Sequence, residues 1–205
     1  VSRVRQQLSI ELPLSSLFEY SVLSDFAARC AAQPQSVSQP LLRALPAGQA
    51  GVLSFAQQRQ WILWQLDPDS AAYNLPAALR LKGVLNREAL LRSFSDLQTR
   101  HATLRTTFTQ EGEQARGVLH ASLPLAVREL AVSAPGAAEI ETLVAQEMRQ
   151  PFDLRNGPLL RVLLLNVAAE ENVLVLTVHH IAADGWSMQV MVDEFCALYL
   201  AHVQG

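Results

Sequence analysis

Hydrophobic positions along the chain change their spacing several times, and each change predicts an element. In "LPAALRLKG" Leu75, Ala77, Leu79 and Leu81 alternate with more polar neighbours, the two-residue period of a half-buried strand. "NREALLRSFSDLQTRH" instead places Leu90, Phe94 and Leu97 on one helical face. "TLRTTF" alternates again, turns through "QEGEQ" and returns as "ARGVLH", which predicts a hairpin. "PGAAEIETLVAQEMRQ" has Ile140, Leu143, Val144 and Met148 at helical spacing. Two apolar runs follow with hardly a break, about Leu159–Val167 and Asn172–Val178, and predict buried strands. "SMQVMVDEFCALYLAH" closes the chain as an amphipathic helix carrying Met191, Phe195 and Leu198. Strands and helices are interleaved, so the expected class is α/β or α+β, a mixed sheet covered by helices.

The first fifty residues read differently. Residues 1–32 suggest two or three short helices, with Val1, Val4 and Leu8 on one stripe and Val22, Phe26 and Cys30 on another. "AQPQSVSQPLLRALPAGQAG" then has no period and is rich in Pro, Gln, Ser and Gly, as a linker is. The expected organisation is a helical segment at 1–32, a linker at 33–51 and the main domain at 52–205. That domain opens with Ser54 and Gln57 at capping-box spacing.

Composition narrows the function. Of 205 residues half are hydrophobic and the net charge is -3, so the chain can bury a core and offers no basic stripe to nucleic acid. The run "RVLLLNVAAEENVLVLTV" is broken by Asn166, Glu170, Glu171 and Asn172, which favours two strands over a membrane span. Cys30 and Cys196 lie far apart without metal-ligand spacing, so reduced thiols and a cytoplasmic location are expected. The start "VSRVRQQLSIELP" has no initiator Met and no signal-peptide pattern, suggesting a piece of something longer.

Chemistry concentrates in "TVHHIAADGWSM", Thr177 to Met188. Successive side chains on a strand point to opposite faces, so His179 and His180 should not chelate one ion together. The strand end, three small or apolar residues and Asp-Gly before a helix start put His180 in a strand-to-helix loop. An imidazole there is suited to take a proton from an attacking nucleophile. Asp184 either orients that ring or builds a turn. Gly185 permits a positive φ or a close backbone approach. There is no Gly-x-Ser-x-Gly elbow and no Cys beside the pair, which points to direct attack by a substrate amine or hydroxyl.

Three ordered motifs resemble the condensation domains of nonribosomal peptide synthetases: "LSFAQQRQWIL" at 53–63, "RHATLRTTF" at 100–108 and "HHIAADGWS" at 179–187. "DPDSAAYNLPAALRLKG" and "PFDLRNGPLLR" are also similar to that family, over about residues 51–205. Ala102 stands where the family usually has Glu. Residues 1–32 resemble the last helices of a peptidyl carrier protein, without its phosphopantetheine-bearing Ser. The resemblance implies a chloramphenicol acetyltransferase-like lobe, the N-terminal one of two. It also implies amide formation between thioesters carried on 4'-phosphopantetheine arms by upstream and downstream carrier proteins, beside an adenylation domain.

Carried over residue by residue, His180 becomes the catalytic base or amine positioner, with Asp184 and Gly185 completing the site. His179 is structural, and Arg100 or Arg105 would pair with Asp184 as a buried loop anchor. Trp186 and Ser187 would pack and cap the next helix. Gln57 and Arg59 have either a site role or a surface one, and Trp61 and Trp64 are expected to pack. No metal and no directly bound cofactor are expected. The resemblance further implies an inactive isolated lobe whose exposed inter-lobe face favours self-association. Dual epimerisation/condensation and ester-forming relatives share the His motif, and a purely docking module is the other alternative. The donor expected from "HHIAADGWSM" is L-configured.

Overall fold

Strands β6 (Leu160–Ala168) and β7 (Glu171–His179) form an antiparallel hairpin at the centre of a four-stranded sheet. The computed structural model describes residues 4, 7, 8, 10, 12–33, 51–112, 114–125, 127–132 and 136–205. The sheet order is β2-β7-β6-β5, with β2 (Asn74–Lys82) antiparallel to β7 and β5 (Val127–Ala131) parallel to β6. Both faces of β7 are covered, so its side chains are buried from Asn172 to His179. At the edge, β2 keeps the alternation predicted for it, with Pro76, Ala78, Arg80 and Lys82 exposed.

Helices α4 (Arg87–Arg100) and α6 (Gly185–Gln204) cover one face of the sheet. Leu90, Phe94 and Leu97 of α4 meet Met191 and Phe195 of α6 over Leu174, Leu176 and Val178 of β7. The stacked rings of Phe94 and Phe195 lie 4.8 Å apart. The other face takes α5 (Ala137–Met148), whose Ile140, Leu143 and Val144 pack on Leu163, Leu165, Val173 and Val175.

A second, antiparallel sheet has the order β1-β4-β3: β1 (Gly51–Val52), β3 (Thr106–Glu111) and β4 (Gln114–Leu119). The predicted hairpin turns at Gly112, whose φ of 62° favours glycine. The strand begins later than "TLRTTF" suggests, because Ala102–Arg105 form a 3-10 turn. Helix α3 (Phe55–Leu66) starts at the predicted capping box, Ser54 with Gln57. Its Trp61 joins Leu53, Phe108, Phe152, Leu154, Leu159 and Ile181 in a separate apolar cluster.

The chain divides into two compact units, Val1–Ala47 and Gly48–Gly205. In the first, α1 (Ser16–Glu19) and α2 (Leu23–Ala31) accompany a small cluster of Ile10, Leu12 and Cys30, with Val4 and Phe26 against it. Val22 leaves the predicted stripe: it is the extended residue before α2 and is exposed. Val1, and most of the segment read as a linker, lie outside the described residues.

Candidate active site

The end of β7 separates the two histidines as strand parity predicts. His179 lies on the face of Val175 and Thr177, opposite Asn74 of β2, and is 2% exposed. Its Nδ1 accepts a 3.1 Å bond from the Ile181 N–H. That bond requires an unprotonated Nδ1. Burial, then the charge of His180 and that of Arg161, push the His179 pKa down to about 4. The ring sits between Tyr73 and, edge-on at 5.9 Å, Phe152.

His180 is half-buried, and its backbone N–H donates to Tyr73 O at 2.9 Å. The loop turns through an Ala182 N–H bond to His179 O, 2.9 Å long. Gln57 Nε2 of α3 donates to Ile181 O at 3.3 Å, tying the loop to the first turns of that helix. Between them opens a cleft of about 450 Å³, lined by His180, Asp184 and Ser187 on one side and Gln57, Arg59 and Gln60 on the other. Arg59 thus stands on the cleft wall, and Trp61 and Trp64 pack with rings 5.1 Å apart.

Several expected roles change. Asp184 is exposed and does not form a buried ion pair with Arg100 or Arg105. It is the N-cap of α6, its Oδ1 accepting from the Ser187 N–H at 2.8 Å and the Ser187 hydroxyl at 2.6 Å. Those two bonds, hydroxyl first, hold its carboxyl below the usual range. The cap is therefore Asp184, with Ser187 as its donor, since a short carboxylate before a helix meets free N–H groups sooner than a distant cation. Arg100 pairs across helices with Glu194 at 3.0 Å. Arg105 donates to the carbonyls of Gln98, Thr99, His120 and Ala121, joining the end of α4 to the residues that follow β4. Trp186, expected to pack, is instead 82% exposed. Gly185 has no positive φ, and a Cβ there would meet open space.

The sequence pattern left one polar group beneath the loop unremarked. Glu147 of α5, 2% exposed, binds Arg161 Nε at 2.8 Å and Arg128 Nη2 at 3.0 Å. Arg161 also donates to Pro151 O, Glu147 O and Gln150 O, and lies 3.9 Å over the Phe152 ring. Phe152 in turn abuts His179, so the pair underpins the histidine that shapes the loop. A signal was present: Glu147 stands four residues after Leu143, on the helix face the pattern assigns to the core.

Known proteins agree with this geometry. The family model of the condensation domain matches residues 49–205. Malpibaldin synthetase of Mortierella alpina is 37% identical over 203 residues, covering 97% of this chain and 4% of that protein. Chondramide synthase cmdD of Chondromyces crocatus is 44% identical over 161 residues, 77% of this chain and 4% of its own length. The starter condensation domain of rhizomide synthetase RzmA superposes with a TM-score of 0.71 at 25% identity, over 77% of this chain and 39% of that one. The X-domain in its complex with OxyB from teicoplanin biosynthesis gives 0.72 at 30% identity, over 83% and 36%. The chain thus spans a small part of these synthetases and well under half of the solved domains. With its mixed sheet, its strand-to-helix loop and its His-His-x-x-x-Asp-Gly sequence, the chain belongs to the condensation-domain family of nonribosomal peptide synthetases.

Proposed function

We propose that this chain supplies one wall of a condensation site, where a carrier-bound amine attacks a carrier-bound acyl or peptidyl thioester. The observation that carries this is His180, half-buried just after the buried strand β7 and opening on a cleft. The attack forms an N–C bond at the thioester carbon and breaks the C–S bond. His180 takes the proton that the amine nitrogen loses and returns it to the leaving thiolate. It serves as base and as positioner, and Asp184 fixes the start of α6 beside it. The open space at Gly185 leaves the backbone bare where the thioester approaches. The 4'-phosphopantetheine arms arrive with upstream and downstream carrier proteins and count as substrate. An adenylation domain loads the downstream carrier, and all of this takes place in the cytoplasm.

Residues 1–32 are the last helices of a carrier protein, followed by a linker to the condensation lobe at 52–205. By itself the 205-residue chain is inactive, because the solved domains it resembles extend well past its span. Phe55, 90% exposed, and Trp186 flank the cleft residues in sequence, and this apolar rim associates with the rest of the domain or with itself. Among the described residues no helix is long and apolar enough to cross a membrane.

The test is amide formation from two loaded carrier proteins by a complete condensation domain containing this sequence. His180→Ala should lower the rate by about 10²-fold or more; an unchanged rate would remove His180 from the chemistry. Amide formed by the isolated chain would overturn its incompleteness. A second reading, a non-catalytic interaction module, draws support from the similar X-domain, which was solved in complex with OxyB. It calls for the His180 variant to keep carrier binding and full product output.

A further inference from the structure

Four glutamines stand on α3, and three have their amides engaged. Gln57 donates to Ile181 O, Gln58 to Leu53 O at 3.1 Å, and Gln65 to Gln110 Oε1 at 2.6 Å. Gln60 differs. It is 6% exposed, and its Oε1 is buried without a hydrogen-bond partner among the described residues. A buried acceptor left unmet is a standing penalty, and Leu or Met would fill similar space on this inward helix face without it. Gln60 nevertheless stands on the wall of the cleft that holds His180. The last torsion of a Gln side chain is broad, so its amide can turn toward a ligand in that cleft.

We propose that Gln60 is the residue by which this cleft prefers an amine nucleophile to a hydroxyl one. The proposal rests on the condensation reading of His180 and extends it to substrate class. A primary amine carries two N–H bonds. One is directed to the His180 imidazole and the other to the Gln60 carbonyl oxygen, which leaves the nitrogen lone pair facing the thioester carbon. When the N–C bond forms and the C–S bond breaks, the proton on the His180 side leaves for the thiolate. The N–H held by Gln60 stays on the amide product. A hydroxyl nucleophile has one O–H, which goes to His180, and Gln60 remains unpaired. A site arranged around a substrate N–H rejects the analogue that lacks it.

The experiment titrates the chain with leucyl N-acetylcysteamine thioester and with its 2-hydroxy counterpart, at about pH 8.5 so that the amine is neutral. Binding is followed by NMR at the Gln60 side-chain amide and the His180 ring. The expected result is an amine preference of about fivefold to tenfold, one neutral hydrogen bond, with both groups shifting. Gln60→Leu should fold at least as stably and bring the two affinities together, while Gln60→Glu, which keeps an acceptor, should retain the preference. An undiminished preference in Gln60→Leu, or a His180 response without one at Gln60, overturns the assignment of Gln60 alone. If neither group responds to the amine, the reading of the cleft as the amine site falls, and this proposal with it.

Discussion

The two faces of the four-stranded sheet solve the same burial problem with different chemistry. Beneath α4 and α6 the face is hydrocarbon: Leu90, Phe94 and Leu97 against Leu174, Leu176 and Val178. On the α5 face the apolar patch of Ile140, Val173 and Val175 gives way, toward the end of β7, to Glu147, Arg161, Thr177, Asn74 and His179. Asn74 Nδ2 there donates to Met148 O and to Gln150 O, 2.8 Å each. Hydrocarbon packing tolerates small shifts, whereas hydrogen bonds hold direction. The directional face lies under the loop that presents His180, and the hydrocarbon face holds the helices that cover the sheet.

The comparison breaks first at its apolar side. Phe94→Ala should cost about 4 kcal/mol in chemical denaturation, since its ring is stacked and fully buried; a loss under about 1 kcal/mol would mean the α4 face is loosely packed. Glu147→Ala leaves Arg161 without its carboxylate and should cost about 3 kcal/mol. The paired change Glu147→Leu with Arg161→Met should recover most of that, and equal losses in both variants would show that the charges do not act together. Acidification comes next. His179 titrates near 6.5 when unfolded and near 4 when folded, so the unfolded chain binds the extra proton between those values. Stability is complete above about pH 6.5 and falls as the pH drops toward 4, by about 2 kcal/mol at about pH 5 from this group. A His179→Phe variant should lose that part of the pH slope, visible in melts across the window. Smallest is Asp184→Ala, about 1 kcal/mol for the lost cap, read as faster amide exchange in the first turn of α6. An unchanged exchange rate there would deny the cap its role.

Local spacing made much of this legible. The alternation of Leu75, Ala77, Leu79 and Leu81 predicts β2, the Ser54–Gln57 spacing predicts the start of α3, and parity alone separates His179 from His180. Asp184 was readable too, with Ser187 three residues on, but its expected burial led toward an arginine. Partners distant in sequence were not legible: nothing near Arg100 points to Glu194, and nothing near Arg161 points to Glu147. Such pairs form only after the sheet has brought remote segments together. Gln60 was hidden for a related reason, because an unmet acceptor is defined by neighbours that the sequence does not order.

The edge of the larger sheet carries a consequence for solubility. Strand β2 is nine residues long and sits at one end of the sheet, a length that invites strand-by-strand growth with a second molecule. Pro76 has no N–H to offer, and the exposed Lys82, beside an Arg80 paired with Glu171, places a positive charge where an identical strand would approach. Ordered fibril growth through this edge is therefore disfavoured, even at concentrations where apolar surface elsewhere, such as Phe55 and Trp186, draws molecules together.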